Sequence, residues 1–254
     1  MSGDRIEDVA RAVLALEKPA LCLDFDGTLV EIAPRPEAIT VADYLPALLR
    51  ALCERFDDRV AIVTGRTHSD LSRHLDVTSF PVASGHGAEF SAPESVDVQS
   101  LLDRADLDPL RPKIAAAIRG YADVYLEDKG TAIAVHTRPN PSAHDPLLDQ
   151  MHALADHDEK VHVGGGKGIV ELRLASENKG TALTRLANLK GWRGAQPVMI
   201  GDDTTDNDGM AVAKTLGGFG IQVGNGPNGT KLSHAAFSLA SVSQAHKLLQ
   251  LLTR

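Results

Sequence analysis

The chain of 254 residues is poor in the groups that staple small proteins or build binding platforms: it has two cysteines, one tryptophan and only 4% aromatics. Two cysteines cannot make a disulfide framework or a zinc site of the usual spacing, and a chain this long buries enough surface to fold without either. Cys22 lies in the apolar run Ala20–Leu23 and Cys53 in a leucine-rich helical pattern, so both read as small buried hydrophobes in a reducing compartment. Positive charge is also short. Lys and Arg number 26 against 34 Asp and Glu, a net charge of −8, and no window is dominated by basic residues, which argues against a nucleic-acid partner. Long hydrophobic runs are absent as well. The stretch MSGDRIEDVARAVLALEKP mixes acids and bases throughout, so it reads as neither a signal peptide nor a membrane span, and a cytoplasmic protein with no membrane partner is expected.

What remains is an ordinary globular balance, 43% hydrophobic and 24% charged, enough for one large domain or two unequal ones. Ile6, Val9, Val13 and Leu16 recur at helical spacing, as do Leu45, Leu48, Leu49 and Leu52. Between and after them stand short apolar runs without polar alternation: Ala20–Leu23, Val60–Val63, Val198–Ile200 and Ile221–Val223. Such runs suit parallel strands covered on both faces, and the helices between them predict a doubly wound, Rossmann-like α/β core. The middle of the chain differs. Val124–Leu126 and Thr131–Thr137 alternate like antiparallel strands around Lys129-Gly130, followed by a Pro-bounded helix and a further strand at Gly168–Leu174. An inserted α/β domain over residues 107–174 is therefore expected, with 1–106 and 175–254 forming the core.

All four core runs end in polar or glycine-rich residues, and ligands of open α/β sheets bind outside the carboxyl ends of the strands. Asp24 and Asp26 stand two apart at the first of these ends. If the strand runs on to Asp26, both carboxylates share a face and a hard, oxygen-ligated cation such as Mg²⁺ relieves their repulsion. A turn in which Asp26 caps a helix and Gly27 supplies unusual dihedrals fits this motif equally well. Gly201-Asp202-Asp203-Thr204-Thr205-Asp206-Asn207-Asp208 adds four carboxylates after another buried strand. Asp202, nearest the strand end, is the better ligand candidate, while Asp206 and Asp208 also suit the first turn of a helix. An anionic substrate would find the hydroxyl of Thr64, the backbone N–H of Gly65 and the charge of Lys179 at a helix start. The literal G-x-G-x-x-G at Gly224–Gly229 is not a dinucleotide site, because no Asp or Glu follows Asp208 and Pro227 has no N–H to offer.

DFDGTL at Asp24–Leu29, VTGR at Val63–Arg66, Lys179 and GDDTTD at Gly201–Asp206 stand in the order of the four motifs of the haloacid dehalogenase superfamily, which the chain resembles across its whole core. More narrowly it is similar to the trehalose-6-phosphate phosphatases, through SGHGAE at Ser84–Glu89, EDKGTAIAVHTR at Glu127–Arg138, GKGIVELR at Gly166–Arg173 and the ENKGTAL that contains Lys179. It departs from that pattern at Asn207, where Glu is common, and at Thr137, where an aromatic is common.

The resemblance implies hydrolysis of a phosphosugar, trehalose 6-phosphate, as the last step of trehalose biosynthesis. Asp24 would be the nucleophile that becomes an aspartyl phosphate, and Asp26 the general acid and then the general base. Thr64, Gly65 and Lys179 would hold phosphoryl oxygens. Mg²⁺ would be bound by Asp24, Asp202 and the backbone carbonyl of Asp26, with Asp203 and Asp206 supporting it from behind. The inserted segment would be a cap that reads the sugar through Glu127, Lys129, Lys167 and Glu171, with His86 in a loop beside the site. Three other readings stay open: another sugar-phosphate phosphatase, a phosphohexomutase, or a non-catalytic phosphosugar-binding protein. The resemblance leaves room for a synthase partner, although no docking surface is legible.

Overall fold

Strands that run parallel need long crossovers, and the core supplies them as helices packed on both faces of one sheet. The computed structural model describes residues 4–93, 99–100, 107–130, 132–155, 160–166, 168–174, 177–226, 229 and 231–254, the side chains of residues 99, 100 and 174 apart. Thr131, Lys167 and Pro227, all named above, lie outside the described residues. The chain divides into two units, one formed by Met1–Gln99 and Asn178–Arg254, the other by Ser100–Glu177.

The first unit contains α1 (Ile6–Leu14), β1 (Pro19–Leu23), α2 (Leu45–Arg55), β2 (Val60–Val63), α3 (His68–Leu71), β3 (Val82–Ser84) and β4 (Glu89–Ser91). A short strand β5 (Gln99–Ser100) straddles the division. The chain returns after the second unit with α6 (Lys179–Ala187), β10 (Gln196–Gly201), α7 (Thr204–Thr215), β11 (Phe219–Val223), β12 (Ala235–Leu239) and α8 (Val242–Leu252). The sheet order is β12-β11-β10-β1-β2-β3-β4-β5, parallel from β12 to β3, with β4 antiparallel to β3. The reversal at β4 follows from the four residues that join it to β3, too few for a parallel crossover.

Side-chain alternation splits the buried residues between the two faces. Leu21, Leu23, Ile62, Val198 and Ile221 join Val9, Val13, Leu49, Leu52 and Leu248 on the side of α1, α2 and α8. Cys22, Ala61, Val63, Ala83 and Met199 join Leu183, Leu186, Met210 and Ala213 on the side of α6 and α7. Both cysteines are buried free thiols.

The second unit carries α4 (Arg111–Ala117), β6 (Tyr125–Asp128), β7 (Ala132–His136), α5 (His144–Ala155), β8 (Val161–Gly166) and β9 (Ile169–Leu174), with the antiparallel order β6-β7-β9-β8. Ile133, Val135, Val170 and Leu172 pack with Ile114, Leu147 and Met151, so the helices cover one face. The opposite face presents the register row Glu127–Ala134–Glu171–Gly164. No described helix is long and apolar enough to cross a membrane.

Candidate active site

The order β10-β1-β2 puts the carboxyl end of β1 between two others, so Asp24, Thr64 and Asp202 leave the sheet side by side. The strand does not run on to Asp26 as a shared carboxylate face would need. It stops at Leu23, and residues 25–30 close a tight turn in which the Gly27 N–H donates to the Val30 carbonyl at 2.7 Å. Gly27 has φ +83°, and a Cβ there would stand 2.0 Å from the Asp202 carboxylate, so only glycine permits both the turn and the approach of the second acid. Gly201 plays the same part for Asp206, whose carboxylate carbon would lie 2.1 Å from an added Cβ.

Asp24, Asp202 and Asp206 each bring a carboxylate oxygen within 4.8 Å of the others, and all three are buried. Lys179, itself buried, donates to Asp24 Oδ1 and to Asp206 Oδ1, both at 2.6 Å. Its pKa is raised: burial alone would lower it, and the charges of Asp206 and Asp24 more than offset that. The Asp24 carboxyl is pushed up to about 7, first by burial and further by the charges of Asp206 and Asp26, against the downward pull of Lys179. Three buried carboxylates against one ammonium leave negative charge in excess, which suits a divalent cation held by oxygen ligands.

Asp206 sits deeper in this cluster than a supporting acid needs to, and its second oxygen accepts the N–H groups of Asp202 and Asp203 at 2.9 Å each. Asp203 instead caps α7, accepting from the Thr204 N–H at 2.6 Å. α6 opens on a capping box of Asn178 and Thr181, which fixes the start of the helix that carries Lys179.

Asp26 is gripped by a residue whose motif was noted in the sequence without a role being given to it. Arg66 donates from Nε to Asp26 Oδ2 at 2.6 Å and from Nη2 to Oδ1 at 2.7 Å, a two-pronged pair, and from Nη1 to Asp70 Oδ2 at 2.5 Å. Nη2 also reaches the Pro36 carbonyl at 3.0 Å. The guanidinium pKa is raised; burial opposes the shift, and hydrogen bonding with the charges of Asp26 and Asp70 outweighs it. The signal was present in VTGR, an arginine three residues past a strand end beside an acidic loop. The buried Thr64 hydroxyl accepts from the Arg66 N–H at 3.1 Å. Gly65 leaves room for the His86 ring, whose Nε2 would lie 2.4 Å from an added Cβ.

In the second unit, His136 and Glu127 pair at 2.8 Å, the His136 ring stacks on Tyr125 at 4.5 Å, and Lys129 donates to Glu171 at 2.8 Å. Glu127 is held below the usual carboxylate range, chiefly by the hydrogen bond from His136 and less by Lys129, against the cost of burial. Lys167 lies outside the described residues. The two departures from the family pattern act as structural ties. Thr137 bonds His144 at 2.9 Å, and Asn207 donates to Ser233 at 3.0 Å while accepting from the His234 N–H at 3.0 Å.

The family model described as trehalose-phosphatase matches residues 22–243. The chain belongs to the trehalose-phosphatase family. It is 35% identical over 210 residues to a probable trehalose-phosphate phosphatase of Sinorhizobium fredii, covering 82% of this chain and 79% of that one. It is 30% identical over 236 residues to the trehalose-6-phosphate phosphatase of Escherichia coli, covering 93% and 87%. The C-terminal domain of a trehalose-6-phosphate phosphatase from C. albicans shares the fold, with a TM-score of 0.84, 20% identity and coverage of 99% and 98%. As a member of the trehalose-phosphatase family the chain is a phosphatase, and the family implies use of a divalent cation, which the buried acid cluster fits.

Proposed function

We propose that the chain hydrolyses trehalose 6-phosphate to trehalose and inorganic phosphate in a Mg²⁺-dependent reaction through an aspartyl phosphate on Asp24. The observation that carries this reading is the buried constellation of Asp24, Asp202, Asp206 and Lys179 at adjacent strand ends, with Asp26 beside it. Asp24, Asp202 and the backbone carbonyl of Asp26 are the residues that would hold Mg²⁺. Bound there, the ion supplies charge neutralisation for phosphoryl oxygens.

Asp24 attacks phosphorus as the bond to the sugar oxygen breaks, and Asp26 hands that oxygen its proton. Asp26, then ionised, takes a proton from the water that attacks the phosphoenzyme, and the bond between phosphorus and Asp24 breaks to release phosphate. Arg66 keeps the Asp26 carboxylate in place through its paired donors. The Thr64 hydroxyl, the Gly65 N–H and Lys179 receive the remaining phosphoryl oxygens. Asp206 holds Lys179 and, with Asp203, shapes the turn that carries Asp202. The second unit is the cap in this reading, and Glu127, Lys129, Lys167 and Glu171 bind sugar hydroxyls, which accept and donate hydrogen bonds to such groups.

The test is phosphate release from trehalose 6-phosphate, sucrose 6-phosphate, mannose 6-phosphate and glucose 6-phosphate, each with Mg²⁺ and with chelator. A marked Mg²⁺-dependent preference for trehalose 6-phosphate is expected. Activity spread evenly over the monosaccharide phosphates would keep the core chemistry and remove the trehalose assignment.

A further inference from the structure

The turn that carries Asp24 and Asp26 is bonded mostly to itself: the N–H groups of Leu29 and Val30 both donate to the Phe25 carbonyl, at 2.8 and 3.0 Å. Its Leu29 carbonyl is reached from elsewhere, by His246 of α8, whose Nε2 lies 2.8 Å away. His246 is buried, on a helix face otherwise made of Val242, Ala245, Leu248, Leu249 and Leu252. A polar ring on such a face is costly unless both nitrogens are satisfied.

Both are. A carbonyl only accepts, so Nε2 carries the proton, and Nδ1 of the neutral ring then accepts from the Tyr44 hydroxyl, 2.6 Å away. Tyr44 stands immediately before α2 and meets the ring edge-on, with centroids 5.6 Å apart. The carbonyl therefore fixes the tautomer, and the hydroxyl, which can donate or accept, satisfies the remaining nitrogen and holds the ring. His246 of α8, 217 residues from Leu29 in sequence, thus reaches the one loop that presents both acids.

We propose that His246, its ring held by Tyr44, is a positioning residue for the loop that carries Asp24 and Asp26; the inference rests on the functional reading above. The two ring nitrogens can be separated by substitution. Gln places an amide N–H near the Nε2 position and can still donate to Leu29, whereas Asn reaches only the Nδ1 position and cannot. The experiment measures kcat and KM for phosphate release, melting temperature, and amide hydrogen exchange in peptides covering Asp24–Val30, for wild type, His246→Asn, His246→Gln and Tyr44→Phe.

In His246→Asn, kcat is expected to fall roughly ten-fold at unchanged KM, as small misplacements of reacting groups do, while His246→Gln restores it to within about three-fold of wild type. Exchange in the Asp24–Val30 peptides rises in the Asn variant and not in the Gln variant. Equal kcat and equal exchange in Asn and Gln variants that melt together would overturn the proposal. Should neither histidine variant fold, Tyr44→Phe decides, with faster exchange in the loop supporting the proposal and unchanged exchange overturning it. If wild type releases phosphate from none of the phosphosugars, the functional reading fails by itself, and the exchange measurement still judges the positioning role.

Discussion

At the strand ends of the first unit, Asp24 and Asp206 share Lys179 and stand beside Asp202, all of them buried. On the sheet of the second unit the acids are paired one by one, Glu127 with His136 and Glu171 with Lys129, and Glu127 is a third exposed. The first arrangement sets three buried carboxylates around one ammonium and pushes the Asp24 carboxyl up; in the second each acid meets a basic partner, and the Glu127 carboxyl is held down. Charge left unbalanced in a buried place is a reason to bind something charged. Acids paired with basic groups on a largely buried strand face can exchange a partner for a hydroxyl, which suits recognition of a polyol. The backbone differs in the same sense: Gly27 and Gly201 are cut to the shape of Asp202 and Asp206, whereas a Cβ added at Gly164, beside Glu171, would meet the His162 ring at 3.5 Å, an ordinary contact.

The strongest way to break this contrast is Asp24→Asn, which removes the proposed nucleophile and leaves the shape. Phosphate release should fall by more than about 10³-fold for every phosphate ester, with the fold intact by circular dichroism. Retention of full activity would reassign the nucleophile. Arg66→Lys comes next, since an ammonium cannot reproduce the two-pronged grip on Asp26 and at the same time reach Asp70. We expect kcat to drop roughly ten- to a hundred-fold with KM little changed. An unaltered kcat would mean that the Arg66 pair has no part in holding the proton-transfer group.

Substitution on the second unit should separate the sugar from the chemistry. In Lys129→Met, which frees Glu171 from its ammonium, KM for trehalose 6-phosphate is expected to rise about ten-fold, as loss of a charge-assisted hydrogen bond allows. Turnover of p-nitrophenyl phosphate, which has no sugar to read, should stay the same. Equal losses on both substrates would put Lys129 in structural support rather than recognition.

How much of this could be read from the sequence depended on how local the signal was. Val60–Val63 coincides with β2 and Ala20–Leu23 falls within one residue of β1, because a short apolar run between polar ends fixes a buried strand by itself. β12 and β8 were not legible. Ala235–Leu239 has a serine and two alanines among its five residues, and Val161–Gly166 ends in three glycines, so their pairing with β11 and β9 supplies what their own composition does not. Asp24, Asp202 and Lys179 could be picked out one by one, since each follows or opens a recognisable element. Their meeting could not, nor could the grip of Arg66 on Asp26 or of His246 on Leu29, which join residues 40 and 217 positions apart.

The smallest expected effect bears on the imbalance itself. Burial pushes the Asp24 carboxyl up to about 7 in the folded chain, while an unfolded aspartate titrates at ~3.9. Between those values the folded state binds more protons, so this group's contribution to stability falls as pH rises across the window and then levels off. Lys179, raised rather than lowered, stays charged throughout and adds no slope there. With chelator present, the melting temperature of wild type relative to Asp24→Asn should therefore decline by a few degrees from about pH 4.5 to about pH 7.5. Added Mg²⁺, which binds the ionised carboxylate, should remove most of that decline. The comparison with Asp24→Asn cancels the other carboxylates, whose pairs strengthen as pH rises. Parallel curves for the two proteins, with and without Mg²⁺, would show that the buried acids are balanced after all and that the two regions differ in position alone.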